Sequence, residues 1–178
     1  MKKIYFVRHG ETVWNVENKI CGVTDSPLTE LGHRQAIETG ELIKSKGVKA
    51  DLIICSPLSR AHDTANHIGE IIGVPVVAEP QLVEQNFGVY EGTARDGEEF
   101  QTKKRGFVYD FETGESMMRV GQRIYNLLDK LGEDDKTYIL VAHNGIARVV
   151  RSYFMNMENE EYSSFGVKNC ELVEYEYK

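Results

Sequence analysis

No apolar run in the sequence approaches the length of a membrane span. The N-terminal segment MKKIYFV places only four apolar residues, Ile4 to Val7, ahead of Arg8, too few for the apolar region of a signal peptide. The expectation is a cytoplasmic protein with no membrane partner. Cysteine is scarce: Cys21, Cys55 and Cys170 are odd in number, far apart and without a C-x-x-C pair. That gives no disulfide framework and no zinc signature, and it fits a reducing compartment. Cys55 and Cys170 read as core residues. Positive charge is also short, since 21 Lys and Arg face 28 Asp and Glu for a formal net charge of −7. An acidic balance disfavours nucleic acid or an anionic membrane as a general partner, yet it leaves room for a small basic pocket. Internal repeats, low-complexity tracts and linkers are absent as well. The 178 residues, 41% hydrophobic, fit one domain, residues 1–178, with a sizeable core.

What is present is an alternation of strand-like and helix-like segments. KKIYFV reads as a buried strand, and LTELGHRQAIETGELIKSKG as a helix with Thr29 as N-cap, Gly47 past its end and Ala36, Gly40 and Ile43 on its apolar face. DLIICS reads as a second strand, followed by a helix, PLSRAHDTANHIGEIIG, that Pro57 can start and Gly73 can stop. VPVVAE is a third strand, weakened by Pro75. The stretch from Gln85 to Gly114 is the least regular, rich in charge and glycine, and reads as loop with a short helix. In ESMMRVGQRIYNLLDKLG, Met117, Val120, Ile124, Leu127 and Leu131 recur at helical spacing as a core-facing stripe. TYILVAHNG, IARVVRSYFM and CELVEYEY complete the chain as strand, helix and strand. The pattern predicts a single three-layer α/β/α domain with a mostly parallel central sheet.

In an open α/β sheet, ligands bind outside the carboxyl ends of the strands. Arg8 and His9 follow the first strand here, Ser56 and Arg60 the second, Glu84 the third, and His143 and Asn144 the fourth. Each alone is unremarkable as a surface charge or a structural histidine. Together, four strand ends deliver two arginines, two histidines and a glutamate to one edge.

These residues lie in four ordered stretches, VRHGET-WN, SPLSRAHDTA, L-E-NFGVYEG and VAHNG, which span residues 4 to 148. The set resembles the histidine phosphatase superfamily, also called phosphoglycerate mutase-like. The resemblance implies that His9 is a nucleophile that becomes phosphorylated, that Arg8, Arg60 and His143 form a phosphate pocket, and that Glu84 is the proton donor. It also implies that Asn15 completes the pocket. A departure stands at Asn144, where many relatives carry glycine; no catalytic role is assigned to it. The short segment after Glu84 and the end of the chain just past the last strand favour the phosphatase branch over the longer mutases. Three readings stay open: a phosphatase of a small phosphorylated metabolite, a phosphoglycerate mutase, and a phospho-ligand binding module without turnover.

The residue types suit the chemistry independently of the resemblance. Phosphoryl transfer is mainly positioning and electrostatic stabilisation, and arginine offers a permanently charged planar fork for phosphate oxygens. Two arginines and a protonated His143 can offset a phosphomonoester dianion, so neither metal nor cofactor is called for. His9 needs an unprotonated attacking nitrogen, its other nitrogen donating to a backbone carbonyl with Gly10 leaving room for close approach. His33, His62 and His67 read as structural or surface residues, and the spacing of His62 and His67 does not suit a zinc pair. Lys103, Lys104 and Arg105 read as a solvated charge run, against the sharper reading that part of residues 95–114 covers the pocket and selects the leaving group. Trp14 and Tyr90 read either as lining the pocket mouth or as core and rim packing.

Overall fold

The computed structural model describes residues 1–178. Five strands form one sheet: β1 (Lys3–Arg8), β2 (Leu52–Cys55), β3 (Val76–Ala78), β4 (Tyr138–Ala142) and β5 (Leu172–Glu176), in the spatial order β3-β2-β4-β1-β5. β1, β2, β3 and β4 run parallel, and β5 closes one edge antiparallel to β1. This is the mostly parallel α/β sheet expected from the alternation. β4 is buried along its whole length, as a central parallel strand covered on both faces must be.

Alternate residues of each strand feed two cores. Tyr5, Val7, Ile53, Cys55, Ile139 and Val141 pack with Ile43 of α2 (Glu30–Ser45) and Ala61, Ala65 and Ile68 of α3 (Ser59–Ile72). Ile4, Phe6, Ile54 and Leu140 pack on the other face with α5 (Met117–Gly132) and α6 (Asn144–Phe154), where the Met117 to Leu131 stripe is buried as its spacing predicts. Cys55 and Cys170 are buried, as expected of core residues. No helix is long and apolar enough to cross a membrane.

Local signals set the helix ends. Thr29 caps α2 through a 3.0 Å bond from the Gly32 amide, and Gly73 ends α3 in the left-handed conformation at φ 71°. α3 starts at Ser59, two residues after Pro57, because Leu58 still holds an extended conformation. Two short helices carry too few turns to show a period: α1 (Val13–Val16), held by a reciprocal Thr12–Asn15 capping box, and α7 (Asn159–Ser164). The irregular segment contains α4 (Glu98–Lys104). A separate aromatic cluster anchors it, with Phe100 and Phe111 packed against Phe87 and Ile20 and flanked by Tyr90 and Tyr109.

Candidate active site

Strand register brings the two histidines together. β1 pairs with β4 so that Arg8 lies opposite Ala142, and the His9 amide continues the ladder to the Ala142 carbonyl at 2.9 Å. The next residues, His9 and His143, therefore emerge side by side, with ring centroids 5.3 Å apart and planes 57° from parallel. Nδ1 of His9 donates to the Gly10 carbonyl at 2.7 Å, which leaves Nε2 with its lone pair free. His143 is fully buried, its Nε2 2.7 Å from the Ser56 hydroxyl. β2 places that serine, since the Ser56 amide bonds to Val141 of β4. A hydroxyl proton donated to Nε2 keeps the ring proton on Nδ1, which has no protein partner.

Two arginines flank the pair. Arg60, in the first turn of α3, is 1% exposed; its terminal nitrogens donate to the carbonyls of Gly22 at 2.6 Å and Thr24 at 3.0 Å. The loop that supplies those carbonyls is itself pinned by Glu91, whose carboxylate accepts from the amides of Gly22 at 3.0 Å, Val23 at 3.1 Å and Phe87 at 3.1 Å. Arg8 is held through the Val167 carbonyl at 2.8 Å. Buried side-chain nitrogens and oxygens without a partner number five in the protein, and three of them, Arg8 Nε, Arg60 Nε and His143 Nδ1, belong to this site. Such concentration marks a place built for an outside ligand.

Burial, then the charges of Arg60 and Arg8, push the His9 imidazolium well below its ordinary range, so the ring is held neutral. Burial, then Arg60, His9 and Arg8, do the same to His143. The expected standing imidazolium at His143 therefore does not hold among the protein's own groups. A phosphoryl dianion would have to supply the opposing charge, and the neutral ring can still donate from Nδ1. Burial also lowers Arg8 to about 10, with Arg95 as the next cause.

Glu84 arrives after β3 and a short turn, in a buried position where its two oxygens accept from the amides of Gln85 and Gly145, each at 2.9 Å. Each oxygen keeps a second lone pair on which a proton can ride. The approach to α6 depends on Gly145, where an added Cβ would sit 2.4 Å from Glu84 Oε1. Arg123 of α5 braces the turn by donating to the Gln81 carbonyl and pairing with Glu115 at 2.9 Å.

One cavity of about 150 Å³ gathers Arg8, His9, Asn15, Arg60 and Glu84, with the buried His143 ring 5.3 Å from that of His9. Asn15 spends its Oδ1 on the Thr12 amide at 3.1 Å, which leaves its amide NH2 as the group available to a ligand. Asn144 lines the same cavity while its Oδ1 holds the Val167 amide at 2.8 Å, beside the carbonyl that fixes Arg8. Gly10 makes room for a helix and not for a ligand: a Cβ there would meet the Gly32 carbonyl of α2 at 2.5 Å. Trp14 and Tyr90 stay outside the cavity lining; Tyr90 packs against Phe100 and Phe111, and Trp14 lies under Lys19.

The reading that part of residues 95–114 covers the pocket agrees with the lining of the cavity, although the sequence pattern singles out neither its individual residues nor Arg148. Arg95, Phe100 and Lys104 of the irregular segment line the cavity, as does Arg148 of α6. Lys104 thus departs from the solvated charge run expected of residues 103–105, while its neighbour Lys103 points away, 4.6 Å from the Tyr109 ring centroid. Lys104 stands one turn beyond buried Phe100 on α4, and a helix of seven residues is too short to announce that shared face in the sequence. His33 and His67 are structural in a way the sequence did not reveal, joined across α2 and α3 by a 2.9 Å ring-nitrogen contact.

Comparison with known proteins converges on one group. A probable phosphoglycerate mutase of Yersinia pestis is 34% identical over 188 residues, covering 100% of this chain and 86% of that protein. A solved phosphoserine phosphatase from Entamoeba histolytica, in complex with 3-phosphoglyceric acid, is 31% identical with a TM-score of 0.83, covering 98% and 90% of the two chains. A mycobacterial glucosyl-3-phosphoglycerate phosphatase in complex with VO3 is 26% identical with a TM-score of 0.86, covering 98% and 92%. The family model that matches, over residues 4–178, is that of the histidine phosphatase superfamily, branch 1, and the chain belongs to it.

Proposed function

We propose that the protein is a metal-independent phosphomonoester hydrolase that works through a phosphohistidine at His9 on a small phosphorylated metabolite. The observation that carries the reading is the pairing of a neutral, buried His9, its Nδ1 tied to a carbonyl and its Nε2 free, with unpartnered nitrogens of Arg8, Arg60 and His143. In this mechanism the forks of Arg8 and Arg60, with His143 Nδ1–H and the Asn15 amide, bind the phosphoryl oxygens. His9 Nε2 attacks phosphorus in line, a P–N bond forms, and the P–O bond to the leaving group breaks. Glu84 gives its proton to the departing alkoxide. As a carboxylate it then takes a proton from the water that attacks phosphorus, which breaks the P–N bond and releases inorganic phosphate.

The mutase reading draws support from the 34% identical relative, and hydrolysis from the solved phosphatases. The short segment between Glu84 and α5 favours hydrolysis, since a mutase must keep water from the phosphohistidine. The test is phosphate release from a panel of phosphomonoesters in the presence of a chelator, with wild type and His9→Ala in parallel. Release that survives the chelator and is lost in the variant supports the hydrolase. Interconversion of 3- and 2-phosphoglycerate without net release would support the mutase, and failure of both assays would leave the binding module.

A further inference from the structure

We propose that Asn169, in the loop that enters β5, is a positioning residue for the reaction: its side-chain amide holds the backbone of His9 and turns the Asn15 amide so that its NH2 faces the phosphoryl group. The inference rests on the hydrolase reading for its rates and deepens it by naming what aims the nucleophile. Among parallel strands, only the loops that leave a strand reach the edge where His9 stands. β5 runs antiparallel to β1, with Val7 opposite Leu172, so here the loop that enters a strand arrives at that edge. Residues 167–170 then close on the end of β1. The Val167 carbonyl accepts from Arg8 Nη1 at 2.8 Å, the Cys170 amide donates to the Arg8 carbonyl at 2.9 Å, and Asn169 Nδ2 donates to the His9 carbonyl at 2.9 Å.

With that bond His9 is fixed at every polar atom but the attacking one. Its amide donates to Ala142, its carbonyl accepts from Asn169, and its Nδ1 donates to Gly10. The second hydrogen of Asn169 Nδ2 is directed to Asn15 Oδ1 at 3.4 Å. That oxygen also accepts from the Thr12 amide at 3.1 Å, so both donors hold Oδ1 toward the protein and leave the NH2 to the cavity that Asn15 lines. A backbone amide at one end and a backbone carbonyl at the other define which atom of each side-chain amide is oxygen and which is nitrogen. The loop accepts an unfavourable backbone to reach this arrangement. Cys170, directly after Asn169, stands at φ 58°, in the left-handed region that favours glycine, and the Thr39 hydroxyl of α2 holds its carbonyl at 2.7 Å. Such a conformation persists only where its surroundings over-determine it.

Asn169→Ala removes both donors without adding charge. With an aryl phosphate, kcat should fall about 10- to 100-fold, the scale of a misaimed nucleophile, and inorganic phosphate should bind about 3- to 10-fold more weakly by calorimetry. The two contacts are separable. In the Asn15→Ala background the same substitution should leave phosphate affinity unchanged and still lower kcat, because the His9 carbonyl loses its partner in either background. Asn169→Asp, which sets a carboxylate against two acceptor oxygens, should exceed Asn169→Ala in both readouts. A lower Tm in Asn169→Ala with kcat and phosphate affinity at wild-type values would make the residue structural and overturn the inference, as would additive losses of phosphate affinity in the double variant. If wild type hydrolyses no ester yet phosphate affinity shows the coupling of Asn15 and Asn169, the positioning stands and the hydrolase reading falls.

Discussion

The inner end of the cavity and its outer wall are built by opposite means. At the inner end, Arg8, His9, Ser56 and His143 sit at or one residue past the ends of paired strands, so backbone ladders fix their positions. Most of the outer wall hangs from a segment with one seven-residue helix, anchored by a satellite cluster of aromatic rings, and Arg148 of α6 completes it. Chemistry that needs fixed geometry is carried on the sheet, whereas groups that would select a leaving group are carried on a loop that can vary without disturbing it. The difference predicts that inner substitutions change rates on every ester and outer ones change the ranking of esters.

The largest effect that sharpens this contrast is expected from Glu84→Gln. Measured in the first turnover, phosphorylation of the enzyme should slow by about 10²- to 10⁴-fold with an alkyl ester and far less with an aryl ester, whose leaving group needs no proton. Equal losses with both would remove Glu84 from the proton-donor role. Gly145→Ala comes next, at about 10²-fold, because its Cβ would meet the Glu84 carboxylate, the nearest group to it, at 2.4 Å. Its KM for phosphoserine should stay close to wild type, and a large rise in KM would break the assignment.

Glu91→Gln acts one step further out. It loosens the loop whose carbonyls hold Arg60, at about 1 to 3 kcal/mol in stability, read as a lower Tm together with weaker inhibition by inorganic phosphate. A lower Tm with unchanged phosphate inhibition would show that Arg60 does not depend on the loop. The smallest effect is in pH dependence. His9 and His143 are depressed in the folded state, so the unfolded chain takes up protons near pH 6.5 that the folded one refuses. Folding stability should therefore fall as pH drops below about 6.5, and both ring signals should stay in the neutral form at pH 6 by NMR. Titration of either ring near its ordinary value would contradict the burial argument.

The same contrast explains what the sequence could disclose. Strands carry a period, and RHG, SRA and AHNG sit at fixed offsets from the end of one, so the parallel sheet and the inner residues were legible. Lys104 was not, because a two-turn helix in a glycine-rich, charged segment has too few residues to display a face. Arg148 lay hidden inside an amphipathic helix as an ordinary polar position. The Glu91 contacts could not be read either, since they join residues 22, 23 and 87 through backbone amides whose partners no side-chain pattern encodes.

The central claim is that His9 accepts the phosphoryl group, and the most direct measurement is mass spectrometry of the Glu84→Gln protein quenched in alkali during turnover of an aryl phosphate. In the proposed mechanism Glu84 also activates the hydrolytic water, so this variant should accumulate the intermediate, seen as a phosphoryl adduct on the peptide that bears His9. Phosphate release with no adduct there, or with an adduct on another residue, would contradict the account.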